Sequence, residues 1–149
     1  MKGRFAVVSQ LSRPQIFFKA LLGLILLVAG LGHLTWARAE FLAQVLDWLP
    51  LNGDVVVLAS GVVEMLLAAL LLLVWDARWR WQVGLVVALF FVAIFPGNIS
   101  QYVNGMNAFG LDTDRARFVR LFFQPVLVLW ALWSTQALQG LQRGTSRDT

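Results

Sequence analysis

Cysteine is absent from the 149 residues, so this chain can form no disulfide, no dithiol redox couple and no thiolate metal site. Histidine occurs once, at His33, which excludes a bis-histidine haem within one chain. One histidine and one intramembrane glutamate are too few for a metal site. Charge is scarce as well: Asp, Glu, Lys and Arg make up 13%, against about 25% in a soluble domain whose surface must face water. The net charge of +4 is modest and its basic residues sit at segment ends, without a basic stripe interleaved with aromatics. Anionic lipid head groups explain such charges better than nucleic acid does. No Gly-rich phosphate loop and no Ser-His-Asp set is present.

What the chain has in quantity is apolar. Hydrophobic residues make up 59%, and the mean hydropathy is +0.73. Four runs are long enough to cross a bilayer, at about 16–34, 55–75, 81–99 and 118–138. The expectation is an all-α integral membrane four-helix bundle, one domain over 1–149, with a polar, frayed tail at 140–149. No repeat of 20–50 residues is evident.

Local signals place the ends of these spans. Ser12 and Gln15 form a capping-box pattern, with Pro14 tolerated in the first turn. Ala37-Arg38-Ala39 resembles a signal-peptidase site, but three further spans follow, so the first helix is expected to be retained. From Trp36 to Pro50, Phe41, Val45 and Trp48 share one side and Glu40, Gln44 and Asp47 another. That spacing predicts a short amphipathic helix at the interface, with Trp36 and Trp48 at head-group depth. Asp54 is expected to cap the second span, Pro96-Gly97-Asn98 to break the third, and Thr113 or Asp112 to cap the helix leading into the fourth.

Basic residues set the orientation. With both termini inside, Lys2, Arg4, Arg13, Lys19, Arg78, Arg80, Arg143 and Arg147 are cytoplasmic, and Arg38, Arg115, Arg117 and Arg120 are external. The bias favours N-in, C-in. Arg120 is expected to snorkel outward along its aliphatic stem, and Trp75, Trp79 and Trp81 to form an inner belt.

Polar residues recur inside all four runs. Glu64 lies near the middle of the second, where a carboxylate costs roughly 2.5–3.5 kcal/mol on insertion scales. It therefore needs a partner, a polar cavity or a proton. Ser60 is one turn away on the same face, and Gly61 permits close helix approach. In this topology His33, Asn98, Gln101, Gln124 and Glu64 converge in the outer half of the bundle.

Each has a plainer reading: His33 as an interfacial residue, Asn98 and Gln124 as interhelical hydrogen-bond glue, and Glu64 as a packing element held by His33 or Gln124. The sharper reading makes Glu64 and His33 a catalytic proton-handling pair. Ser60, Asn98, Gln101 and Gln124 then bind a ligand whose oxygens gain protons on reduction, such as a quinone. Phe90, Phe91, Phe95, Phe122 and Phe123 either wall a pocket for a flat ligand or face lipid.

Four pieces in this order carry a family resemblance. They are Gly30-Leu31-Gly32-His33, Ser60-Gly61-Val62-Val63-Glu64, Ile94-Phe95-Pro96-Gly97-Asn98-Ile99 and Arg120-Leu121-Phe122-Phe123-Gln124-Pro125. From about Arg13 to Trp133 the chain resembles the DoxX family of small four-helix membrane proteins. Gly97 and Phe122 stand where that family tends to have Ala and Pro. The resemblance implies a bundle in the bacterial cytoplasmic membrane. Some DoxX-like and DoxD-like relatives are subunits of quinone-linked oxidoreductases, including thiosulfate:quinone oxidoreductase. It implies a non-autonomous subunit with a non-covalent quinone ligand, a lipid bilayer around it, and a soluble redox partner or a homo-oligomer. The competing class is a non-enzymatic scaffold or small-molecule transport component.

Overall fold

Long apolar runs with few helix breakers leave the chain one way to satisfy its backbone in lipid, which is helix. The computed structural model describes residues 10–145. Among them lie seven helices and no strand: α1 Arg13–Leu34, α2 Arg38–Leu42, α3 Gly53–Leu73, α4 Ala77–Val103, α5 Asp114–Leu121, α6 Phe123–Ser134 and α7 Ala137–Thr145. Four units are long and apolar enough to cross a membrane: α1, α3, α4, and α5 with α6 taken together. Lys2, Arg4 and Arg147, used in the orientation argument, lie outside the described residues.

The four spans alternate in direction. Gly30 approaches Gly61, and Gly23 approaches Leu71 and Leu72, so α1 and α3 are antiparallel. A Cβ on Gly61 would lie 2.6 Å from the Cβ of His33, so only glycine allows this approach. Helix α4 pairs with α6, and the two pairs meet through α1 against α6 and α3 against α4. Leu22, Leu26, Leu67, Ala68, Leu71, Val83, Val87, Phe91 and Ala131 form the central core. Leu66, Leu73, Leu89 and Leu129 instead point outward and are more than half exposed. An apolar exterior around buried Lys, Arg, Glu and Gln is the arrangement that lipid selects.

Several local expectations hold. Ser12 accepts from the Gln15 amide while the Gln15 side chain accepts from the Ser12 amide, closing the capping box. Thr113 caps α5 by accepting from the Ala116 amide at 3.2 Å.

Others are corrected. The cap of α3 is Asn52, which accepts from the Asp54 amide at 2.9 Å, while Asp54 pairs with Arg38 at 2.8 Å. Pro96 does not break the third span, because α4 continues through it to Val103. The proline removes one amide from the ladder, and Gln124 supplies a side-chain donor to the neighbouring carbonyl of Phe91.

The hitch falls in the fourth span instead, at Phe122 between α5 and α6. Pro125 has no amide for the carbonyl of Leu121, so the regular ladder lapses there. That span ends at Ser134, short of the expected Leu138. Left-handed Gln136 then turns the chain into α7, which is helical to Thr145 where a frayed tail was expected after Gly140. Helix α7 packs on α4, with Gly140 against Trp81.

Candidate functional site

Glu64 is on the inward face of α3, two turns in from Val57 and two turns short of Leu71, and is 5% exposed. Every amide in mid-helix is committed to the ladder, so nothing in its own backbone can donate to this carboxylate. The nearest polar atom opposite is Nε2 of His33, 3.4 Å from Oε2. That is ion-pair distance, but the angles do not make a hydrogen bond, and both atoms are buried without a hydrogen-bond partner.

His33 is itself held firmly. Its Nδ1 lies 3.1 Å from the carbonyl of Val57, and a carbonyl can only accept. Nδ1 therefore carries a hydrogen, and Nε2 is the ring atom that faces Glu64. Phe41 stacks on the imidazole with centroids 3.4 Å apart and planes at 29°. His33 is buried at 6% exposure, so the alternative of an interfacial histidine facing head groups does not apply.

A second polar element faces this pair from α4 and α6. Gln124 donates to the Phe91 carbonyl at 2.6 Å, which fixes its amide orientation and turns its oxygen toward Asn98. Asn98 then donates to that oxygen at 3.0 Å. Both residues are buried.

The two elements line one cavity of about 510 Å³, whose wall includes His33, Ser60, Glu64, Asn98 and Gln124. Of the five residues that the depth argument from sequence brought together, four line this surface, and Ser60 joins them by its helical spacing from Glu64. Gln101 is buried outside that wall, where it accepts from Gln44 at 2.9 Å and so anchors the segment that covers the cavity. Of the five phenylalanines considered, Phe91 lines the cavity, whereas Phe122 and Phe123 are largely exposed.

The covering segment was read from sequence as a helix lying flat at the interface. Only Arg38–Leu42 is helical. The segment folds back over the bundle, with Phe41 of that helix and Gln44, Val45, Leu46 and Leu49 after it in the cavity wall. Burying Phe41 against His33 and Val45 against the cavity satisfies the same apolar face that lipid would have covered. Close packing of Gln44 on Gly97 and a hydrogen bond from the Phe109 amide to Glu40 fasten it down. Trp36 and Trp48 remain exposed.

Arg120 was expected to snorkel outward. It lines the cavity instead, with Nη1 buried and without a hydrogen-bond partner. Lys19, expected at a cytoplasmic flank, is 0% exposed. It donates to the Leu71 carbonyl and lies over the Trp75 ring, 3.7 Å from the centroid. Arg80, expected in a loop, is buried beside it and donates to the carbonyls of Thr135 and Trp75 and to the Gln136 side chain. A one-dimensional pattern gives no sign of either placement, because the carbonyls of Leu71 and Thr135 are far away in sequence.

Four apolar spans that enclose a cluster of buried polar residues define a multi-pass membrane protein. Residues 22–135 match the family described as a domain of unknown function (DUF8561), and over most of its length the chain belongs to that family. No curated protein and no solved structure matches it.

Proposed function

We propose that this chain is a DoxX-type, membrane-embedded subunit of a redox-associated complex that binds a quinone or similar lipophilic ligand in the 510 Å³ cavity. The observation that carries this is the facing pair of buried atoms, Nε2 of His33 and Oε2 of Glu64, without hydrogen-bond partners on the cavity wall. A ligand carbonyl oxygen beside the pair accepts a hydrogen bond from whichever of the two carries a proton, and a ligand hydroxyl can donate to the other; leaving such atoms orphaned costs roughly 1–3 kcal/mol each.

In this reading Glu64 and His33 exchange protons with the ligand, while Asn98, Gln124 and Ser60 orient it. Gln101 acts one step back, through Gln44. Reduction of a quinone takes two electrons and two protons. The pair relays the protons, and a soluble reductant on a partner protein supplies the electrons. The bundle sits in the bacterial cytoplasmic membrane with both termini inside, as the distribution of Lys and Arg supports.

One observation favours the scaffold reading. The Asn98–Gln124–Phe91 relay is satisfied within the protein and ties α4 to α6 without any ligand. Mass spectrometry of organic extracts separates the two readings, using detergent-purified protein beside a Glu64→Ala variant. A quinone retained near stoichiometrically by the wild type and lost in the variant supports the redox subunit. Only bulk phospholipid in both samples sinks it.

A further inference from the structure

A second concavity, of about 710 Å³, runs along the outer side of α5 and α6. Leu111, Val119, Phe123 and Leu127 give it an apolar wall, and Val119 and Phe123 are about half exposed in a membrane-spanning unit, so it opens to lipid. Two residues, Arg120 and Leu127, line both this groove and the inner cavity. The groove and the cavity therefore share a wall one or two side chains thick.

At that wall stands a guanidinium whose Nη1 is buried and unpartnered, and which forms no ion pair among the described residues. Guanidinium hydrogens can only donate, so Arg120 calls for an oxygen acceptor from outside the chain. The end of the cavity nearest His33 is meanwhile covered by Phe41 and its segment, fastened through Gln44 and Glu40.

We propose that the groove is the side entrance and tail channel of the cavity, and that Arg120 at the junction donates hydrogen bonds to a head-group oxygen of the bound molecule. The occupant is a lipid-soluble molecule with a flat head bearing carbonyl oxygens and one long apolar tail. The head lies among Glu64, His33 and Gln124, and the tail passes Leu127 into the groove. This rests on the reading of the cavity as a site for a lipophilic ligand. It adds a binding residue, a route and the requirement for a tail.

The test uses the full chain in lipid nanodiscs and two probes, a benzoquinone with a decyl tail and the same ring without one. Equilibrium binding is followed by quenching of tryptophan fluorescence. Leu127→Trp, which fills the junction, is expected to weaken the tailed probe about tenfold while leaving the tail-less ring within about twofold. Arg120→Leu should weaken both probes about tenfold. Arg120→Lys, which keeps the charge but not the fork, should fall between wild type and Arg120→Leu, and it serves if the leucine variant does not fold. Unchanged affinities in the Leu127 and Arg120 variants, beside loss of binding in Glu64→Gln, overturn the side entrance and leave the cavity reading standing. Failure of wild type to bind either probe overturns the cavity reading, and the entrance with it.

Discussion

Two of the places where the bundle buries charge treat it in opposite ways. At the Lys19 end, two cations meet acceptors already present: Lys19 the Leu71 carbonyl, Arg80 those of Thr135 and Trp75. At the Glu64 end, a carboxylate and an imidazole face one another without completing a hydrogen bond, beside a cavity. The polarity of the helix explains the contrast. The last turn of a helix leaves carbonyls unpaired, and these attract cations both as hydrogen-bond donors and through the dipole. Leu71 and Thr135 lie at the ends of α3 and α6. Mid-helix offers a carboxylate no free amide, so Glu64 has to find its donor on another helix or on a ligand. Buried charge at these helix ends is satisfied within the protein, while at mid-span it is left open to a cavity.

Stability measurements in micelles can break this contrast. The largest effect is expected for Arg80→Ala, which leaves three acceptors without their donor and should cost roughly 2–3 kcal/mol. A loss below that of an ordinary surface substitution would remove the cohesive role. Gly61→Ala comes next, since its methyl would collide with His33 and the Gly30 carbonyl. Overpacking of this kind costs about 1–3 kcal/mol. The same variant should weaken ligand binding, because His33 must move.

Glu64→Gln carries the opposite sign. Removing a buried ionisable group should leave unfolding unchanged or raise stability by about 1 kcal/mol, while abolishing quinone retention. A large destabilisation would instead place Glu64 in the same class as Arg80. The smallest effect belongs to Asn98→Ala, at about 0.6 kcal/mol, the average for interhelical hydrogen bonds in membranes. A double-mutant cycle with Gln124→Ala would isolate their coupling.

The sequence carried the four spans and much of the cavity wall, for two separate physical reasons. Apolar runs of bilayer length have few alternatives to helix. Within them, each polar residue is costly enough to be turned inward, so counting turns from the span ends aligned His33, Glu64, Asn98 and Gln124. Lys19 and Arg80 escaped the same treatment because basic residues near span ends are ordinarily read as flanks reaching water. Their burial depends on carbonyls that α3 and α6 bring alongside. Arg120 escaped for the same reason, and Phe41 because its apolar face fits lipid or protein equally well. Pro96 did not break its span as expected, since a proline's missing amide need not end a helix whose flanking turns are held, here by α4 packing on α6 and by Gln124 on the Phe91 carbonyl.

The apolar layer between the two polar ends also bears on conduction. Along α1, from Lys19 to His33, lie about 21 Å of helix axis, occupied on the inward face by Leu22 and Leu26 against Leu67, Leu71 and Val87. A proton or metal cation leaving the cavity in that direction meets this apolar layer and then the buried basic side chains of Lys19 and Arg80. The cavity is therefore blind at that end. Under the proposed function, protons handled in the cavity stay on one side of this layer and add no leak across it.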